Sequence, residues 1–284
     1  MSQHVRAIKG RIGNIENIGQ ITKAMNAIAM TKVTRMKRRL EVVRPYLADL
    51  EMFIGELLGR RSPESDMHPL LEPNTNDEIG IFVLNADRGL CGRYKGDINR
   101  RGEDLIRQHG SNSRLLIGGE KARVHFARRH IEPVLSFTQT YDPPSREAAT
   151  EMADAAIDLY LRGDVGRVVL VYMQFVSDLR QRLVVEEFLP VSAEPKTNDM
   201  LVEPSVEEML DISLQSYLRG RMYAALLDTK TSEDAIRRQA MKSATDNTEE
   251  LLRSLTREYN KARQQAITRE IADIIGGAEA LRTT

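Results

Sequence analysis

The chain has 284 residues, with 41 basic and 41 acidic side chains, so its formal net charge is zero. This length allows one or two domains with a sizeable core. A single cysteine excludes an internal disulfide framework and any metal site built from several cysteines. No run of about 18 apolar residues occurs, so we expect no transmembrane helix. The neutral sum also argues against a general binder of polyanions.

Charge and proline divide the sequence into three segments. Residues 1–45 carry a net charge of +8, residues 46–204 carry −7, and residues 205–284 carry −1. Eight of the ten prolines lie in the middle segment between Pro63 and Pro195, and the last segment has none. Because proline disrupts helix interiors, the two ends of the chain are open to long helices.

Apolar residues at helical spacing predict a coiled-coil helix over residues 1–60. The pattern begins at Val5 and Ile8 and continues through Ile18, Ile21, Met25 and Ile28. Further along, apolar residues alternate three and four positions apart, as in a coiled-coil seam: Met36, Leu40, Val43, Leu47, Leu50, Ile54 and Leu57. Pro45 predicts a kink or a restart of the helix near Arg44.

The middle segment, with connectors at 61–77 and 190–204, alternates between two patterns. The runs typical of strands are Ile79–Leu84, Leu115–Ile117, Val134–Phe137, Arg167–Val176 and Leu183–Leu189. Helical patterns between the first four cover residues 97–109, 119–130 and 145–162. Such alternation is typical of an α/β domain with a mainly parallel sheet. We therefore predict a Rossmann-like α/β domain over residues 61–204, with a hairpin at Ser177–Asp178.

Residues 205–284 predict a second coiled-coil helix, with Pro204 at its start and Ser205 as its N-cap. The polar stretch from Asp228 to Asp234 is a candidate break. Terminal helices of about 53 and 77 residues would span roughly 80 and 115 Å. A globule of this chain length has a radius of gyration of only about 19 Å. The predicted fold is therefore α/β plus a long antiparallel coiled coil, with the terminal helices paired as a rod that flanks the α/β domain.

No pattern in the sequence predicts a catalytic, cofactor-binding or metal site. Gly89, Gly92 and Gly96 follow the first strand, but their spacing fits neither the dinucleotide fingerprint nor the phosphate-binding P-loop. A tight strand-to-helix turn explains them better than a nucleotide cradle. Cys91 lies in the same loop without a sequence pattern for a neighbouring base. The histidines form no H-E-x-x-H motif, so we expect no metal.

The basic N-terminal segment admits several interpretations. It fits a solvated helix face, a presequence, a nucleic-acid-binding arm, or a surface that meets an acidic protein through Lys32, Arg35, Lys37, Arg38 and Arg39. No aromatic residue precedes Tyr46, so the segment lacks a base-stacking platform. A coiled-coil scaffold or nucleic-acid-binding protein stays open as an alternative function, as does a nucleotide-binding enzyme that uses the glycine loop.

Three motifs decide between these interpretations. Residues 21–25 read ITKAM, residues 87–92 read DRGLCG, and residues 241–281 read MKSATDNTEELLRSLTREYNKARQQAITREIADIIGGAEAL. In this order, and across the whole chain, they resemble the γ subunit of F-type ATP synthase, the central rotor shaft. Departures from the family pattern include Ala86, where Ser or Thr is usual, Arg93, which replaces a second glycine, and Leu201, where some relatives have Tyr. The segment after ITKAM also lacks the usual alanine run and Arg-Ala-Gln, and the acidic connector before Pro204 is short.

The resemblance implies a mechanical function. The chain would couple rotation of an ion-driven membrane c-ring to ATP synthesis or hydrolysis in an α3β3 hexamer, with catalytic residues only in the β and α subunits. Its partners would be α, β, the ε subunit and the c-ring, and not nucleic acid, and it would need no cofactor. Without a clear presequence pattern, we expect it on the cytoplasmic face of a bacterial plasma membrane, held there peripherally through the complex.

The resemblance also implies residue roles. The residues that would contact the catch loops of β are Arg263, Gln264 and Thr268. Those in the apolar upper bearing would be Ile271, Ile274, Ile275, Ala278 and Leu281. The residues of the lower shaft that would meet β are Lys23, Met25, Lys32, Arg38 and Arg39. The motif of the α/β domain, the foot, comprises Asp87, Arg88, Gly89, Leu90, Cys91 and Gly92.

Overall fold

The structure, a computed structural model, describes residues 3–62, 66–140, 142–197 and 201–282. Its helices are α1 (Gln3–Arg60), α2 (Tyr94–His109), α3 (Glu120–Ala127), α4 (Arg146–Leu161) and α5 (Val206–Arg282). Its strands are β1 (Ile79–Leu84), β2 (Ser113–Gly118), β3 (Leu135–Phe137), β4 (Arg167–Ser177) and β5 (Arg180–Leu189). The predicted fold class, two long terminal helices with a central α/β sheet, is therefore confirmed.

The sheet has the strand order β3-β2-β1-β4-β5. The first four of these strands run parallel, and β5 returns antiparallel beside β4. Every residue of β1 is buried, and alternate side chains enter different cores: Phe82 packs on one face of the sheet and Val83 on the other. Helices cover both faces, as the run of apolar residues in β1 requires.

Contacts between residues divide the chain into two compact units. The helix-pair unit comprises Met1–Ala29 and Arg238–Thr284, and the α/β unit comprises Met30–Arg237. These units do not follow the predicted domain boundaries at residues 60 and 204. The predicted division into domains 1–60, 61–204 and 205–284 stays a prediction. In the α/β unit, Met36 and Leu40 of α1 form one core cluster with Leu227 of α5.

Both long helices continue where the sequence predicts an interruption: the break expected in α5 is wrong, and α1 does not restart at Pro45. Helix α1 contains Pro45 without a restart. Seam residues before and after the proline, such as Leu40 and Leu47, pack into the hydrophobic clusters of the α/β unit, and this tertiary packing stabilises the helix. Helix α5 runs through Asp228–Asp234 without a break. Its predicted start is confirmed, since Ser205 Oγ accepts a hydrogen bond from the Glu208 amide at 3.2 Å.

The helix-pair unit is held by a narrow seam. Buried residues recur every seven positions in its part of α5: Met241, Thr248, Leu255 and Ala262. On α1, the seam runs through Val5, Ile8, Thr22 and Ala29. The last three are seven or fourteen residues apart, as in a coiled coil. The isoleucines of this part of α1 therefore divide: Ile8 lies on the seam, whereas Ile18, Ile21 and Ile28 are exposed.

Candidate functional site

The DRGLCG loop joins β1 to α2 through a tight turn. Leu90 and Gly92 both adopt positive φ angles, 63° and 55°, as expected for a sharp reversal. Asp87 stabilises the start of the loop, since its Oδ1 atom accepts hydrogen bonds from the backbone amides of Glu120 at 2.8 Å and Gln139 at 3.1 Å. The loop is thereby fixed to the segments that follow the neighbouring strands.

The same loop contacts helix α5. The Arg237 guanidinium donates hydrogen bonds of 3.3 and 3.4 Å to the Gly89 carbonyl oxygen. Just after the loop, the Tyr94 hydroxyl donates to the Thr229 carbonyl oxygen at 2.9 Å. Cys91 of the same loop is buried, and burial raises the pKa of its thiol. A buried thiol with a raised pKa is a poor nucleophile, so a packing role explains it.

A buried ionic cluster lies on α5 beside this loop. The Lys230 ammonium is 3.0 Å from a Glu233 carboxylate oxygen. The Arg237 guanidinium contacts the carboxylates of both Glu233 and Asp234. All four side chains are at most 9% exposed. Charged groups are rarely buried so completely unless they are paired, and here the helical spacing of three and four residues supplies the pairing.

Asp142 connects this cluster to other parts of the α/β unit. Its carboxylate lies 3.2 Å from the Lys230 ammonium, 3.5 Å from the Lys32 ammonium and 3.4 Å from the Arg88 guanidinium. Burial alone would raise the pKa of this carboxyl, but the three cations hold the pKa below its usual range. The ionised carboxylate is therefore the stable form at neutral pH.

Another buried carboxylate of α5, Asp228, lies two residues before Lys230. It accepts hydrogen bonds from the Arg44 guanidinium at 2.7 Å and the Phe175 amide at 3.0 Å. Burial nevertheless raises the pKa of Asp228 to about 6. Asp228 thus connects α5 both to α1 and to the end of β4.

Sequence reasoning missed this cluster because it treated the polar stretch as a break. The signal was present: Lys230, Glu233, Asp234 and Arg237 have opposite charges at helical spacings of three and four. The pairing with Asp142 could not be predicted, because that residue lies in a loop about 90 positions away. Sequence alone does not show which loop comes to lie against a helix.

The predicted lower-shaft residues occupy different environments. Lys23 and Arg38 are exposed, and Met25 is half-buried. Lys32 pairs with Asp142, and Arg39 donates a hydrogen bond of 3.2 Å to the Pro144 carbonyl oxygen. Lys32 and Arg39 therefore make contacts within this chain. The sequence pattern of basic residues did not indicate these contacts.

The ITKAM motif meets the start of the 241–281 motif in the helix-pair unit. The hydroxyl groups of Thr22 and Thr245 lie 2.8 Å apart and share a hydrogen bond. Next to this pair, a Cβ atom at Gly19 would come within 3.2 Å of Thr248 Oγ1. Small and hydroxyl-bearing side chains thus let the two helices approach closely at this point.

The predicted catch-loop and bearing residues lie near the end of α5. Arg263, Gln264 and Thr268 are exposed, as is Ala278. The apolar residues are exposed as well: Ile271 at 52%, Ile274 at 67% and Ile275 at 58%. The side chain of Leu281 lies outside the described residues.

The described residues contain neither a metal-binding cluster nor a membrane-spanning helix. Among residues 3–62, 66–140, 142–197 and 201–282, no group of three or more His, Cys, Asp or Glu side chains is arranged to hold a metal ion. In the same ranges, no helix is both long and apolar enough to cross a membrane.

Comparison with known proteins identifies the family. A family model described as ATP synthase matches residues 4–281. The chain is 37% identical over 282 residues to an ATP synthase gamma chain of Moorella thermoacetica, which covers 98% of this chain and 99% of that protein. It is 36% identical over 307 residues to the ATP synthase gamma chain of Mycolicibacterium smegmatis, with 99% of each covered. The chain belongs to the ATP synthase gamma chain family.

Solved structures share the fold of this gamma-chain family member. A chain from a Euglena gracilis mitochondrial ATP synthase aligns with a TM-score of 0.69 over 98% of this chain and 94% of its own length, at 15% identity. A chain from the central stalk and c-ring of the Tetrahymena thermophila mitochondrial enzyme aligns with a TM-score of 0.61 over 79% of this chain and 99% of its own, at 23% identity. The family therefore identifies the protein as a gamma chain of an ATP synthase.

Proposed function

We propose that this chain is the rotor subunit that couples c-ring rotation to ATP synthesis or hydrolysis in an α3β3 hexamer, and that it is itself non-catalytic. Its partners are the α and β subunits, the ε subunit and the c-ring. The catalytic groups belong to β and α. An asymmetric shaft that turns inside the hexamer changes the nucleotide affinity of each β subunit in turn, so the contribution of this chain is shape and stiffness rather than reactive side chains.

One observation supports this proposal most directly: the end of α5 exposes apolar residues that a free protein has no reason to expose. Ile271, Ile274 and Ile275 are each more than half exposed and lie within five residues. Contiguous exposed apolar surface marks a contact with another protein. An apolar bearing in the hexamer would cover these residues, together with Ala278 and Leu281.

We assign the polar residues next to this apolar end to the catch loops of β. Arg263, Gln264 and Thr268 are exposed and can form hydrogen bonds with a partner. The Thr268 hydroxyl donates to the Gln264 carbonyl oxygen at 3.0 Å within the helix, which leaves its oxygen able to accept. Lys23 and Arg38 would meet acidic groups of β lower on the shaft, and Met25 would add an apolar contact there.

The location follows from the proposed partners. Relatives in bacteria are similar over nearly their whole length, and a gamma chain reaches the membrane only through its complex. We therefore place the protein on the cytoplasmic face of a bacterial plasma membrane, attached peripherally.

Reconstitution tests this function. The chain is purified, mixed with the α and β subunits of the same organism, and assayed for co-assembly and ATP hydrolysis. We expect a complex that hydrolyses ATP and rotates. Failure to assemble would refute the proposal, and saturable nucleotide binding or salt-sensitive DNA binding by the isolated chain would support the alternatives instead.

A paired substitution tests the residue assignment in the same complex. Replacement of Arg263 and Gln264 by alanine should lower the hydrolysis rate, because hydrogen bonds to the catch loops are lost. The matched control is Arg257→Ala with Glu258→Ala, two exposed residues lower on α5. An equal effect of both pairs would contradict the assignment.

A further inference from the structure

The ionic cluster on α5 has a consequence for the rotary mechanism. We propose that the Asp87–Gly92 loop, Asp142 and the 228–237 stretch of α5 form an ionic clamp that transmits torque between the α/β sheet and helix α5. Asp142, Lys230 and Arg237 are then positioning residues for coupling. This inference rests on the proposed rotor function, because a static protein would transmit no torque.

Torque requires contacts that resist rotation of a helix about its own axis. Apolar packing is non-directional, so it keeps a helix in place but opposes its rotation only through shape. Hydrogen bonds and close ion pairs depend on direction as well as distance. The contacts of Arg237 with Gly89 and of Lys230 with Asp142 therefore fix the rotational setting of α5 against the loops of the sheet.

The clamp holds the helix from more than one side. Arg237 contacts the DRGLCG loop, and Lys230 contacts Asp142, which in turn meets Lys32 of α1. Two residues before Lys230, Asp228 is held by Arg44 of α1. A helix attached to several separate segments cannot turn relative to any one of them without breaking ion pairs.

Stability alone does not explain buried charges at this place. Removing charged groups from water is costly, and apolar side chains of similar size often stabilise a protein as well or better. Every residue from Ala225 to Ala235 is buried, so an apolar core was sterically available. Directional contacts are the property that an apolar core would lack.

Single-molecule rotation tests the clamp in the assembled complex. The hexamer is fixed to a surface, and a bead is attached through the substitution Leu179→Cys, at an exposed position in the turn between β4 and β5. Cys91 is buried and does not compete for the label. The measured quantity is the variance of the bead angle during pauses, which reports torsional stiffness.

We expect Asp142→Asn to raise this variance about twofold, because it removes the one carboxylate that three cations share. Lys32→Gln, at the edge of the cluster, should raise it less, and Arg237→Gln should raise it more. The matched control is Asp164→Asn, which breaks an exposed pair with Arg162 in the same unit and should leave variance and hydrolysis unchanged.

The outcomes separate torque from simple stability. Lower assembly yield with unchanged variance in the complexes that form would overturn the clamp, and so would equal variance in Asp142→Asn and Asp164→Asn. If Arg237→Gln fails to fold, the comparison of Lys32→Gln with Asp142→Asn still decides. A wild-type complex that assembles and rotates while the variants stay stiff refutes only the clamp, whereas a wild type that does not assemble refutes the rotor function as well.

Discussion

Helix α5 behaves differently in its two parts. From Ala225 to Ala235 every residue is buried, including charged ones. Between Met241 and Ala262, buried side chains recur only once every seven residues, and Ile271, Ile274 and Ile275 are exposed. One continuous helix is therefore a core element in the α/β unit and, in the helix-pair unit, one helix of a coiled coil that buries only a narrow seam.

The difference shows how each part is stabilised. In the α/β unit, the chain itself supplies both apolar neighbours and counter-charges. In the helix-pair unit, a narrow seam is the only apolar surface that the chain itself covers among the described residues, so the remaining apolar surface depends on partners. Substitutions in the two parts should therefore differ in whether they affect the isolated chain or only the complex.

Arg237→Leu should have the largest effect on the isolated chain. It leaves Glu233 and Asp234 as buried charges that have lost a partner, which costs about 3–5 kcal/mol in the free energy of unfolding. Urea unfolding followed by circular dichroism measures this cost. Arg253→Leu, at an exposed position of the same helix, should change it by less than about 0.5 kcal/mol. Similar values for the two variants would contradict the contrast between the two parts.

Leu226→Ala should be the next most damaging. Leu226 is fully buried in the main core, and removal of such a side chain leaves a cavity that costs about 2–5 kcal/mol. The control is Leu251→Ala, since Leu251 is 41% exposed and alanine is a good helix former. Unfolding free energies from the same urea titrations make the comparison. A small loss at Leu226 would mean that the core collapses around the gap.

Ionisation of Asp228 should make the free energy of unfolding depend on pH by up to about 3 kcal/mol, because its pKa differs by about 2 between the folded and unfolded states. Its pKa rises from 3.8 to about 6 on folding, so the folded state binds the proton more tightly. This contribution is complete below pH 4 and is lost as pH rises through 6. Compared with Asp228→Asn, the wild type should lose stability between pH 4 and 7. If the difference in unfolding free energy between the two proteins stayed constant from pH 4 to 7, Arg44 would be keeping the Asp228 carboxylate ionised across this range.

Ile271→Asp should have the smallest effect on the isolated chain and a large one on the complex. Ile271 is half exposed, so its replacement should change the unfolding free energy by less than about 0.5 kcal/mol. In the complex, a charge in an apolar bearing is costly, and assembly or ATP turnover should fall. Ile271→Leu, which keeps the apolar surface, is the control. Wild-type assembly and turnover in Ile271→Asp would argue against burial at this position.

Much of the fold could be predicted because it depends on local periodicity. The seam from Met36 to Leu57 and the strand Ile79–Leu84 follow directly from spacing and composition. The N-cap at Ser205 was also predicted, because capping involves only neighbouring residues. These features need no knowledge of distant parts of the chain.

The remaining features depend on which distant residues meet. The buried isoleucines could not be separated from the exposed ones, because Ile8 and Ile21 both fit a helical repeat, and only the register with α5 places one inside. The stretch from Asp228 to Asp234 looked like a break for the same reason, since its counter-charges include a residue of a remote loop. The catch-loop and bearing residues stay predictions, because their partners belong to other chains.

The contact between Thr22 and Thr245 has a consequence for the order of folding. These residues are 223 positions apart, so the helix-pair unit cannot form until almost the whole chain has been synthesised. At about 5–20 residues per second, the first helix waits roughly 10–45 seconds for its partner. During that time its isoleucines meet water or a chaperone. The segment made first is therefore among the last to reach its final contacts, so its seam residues stay uncovered through most of translation.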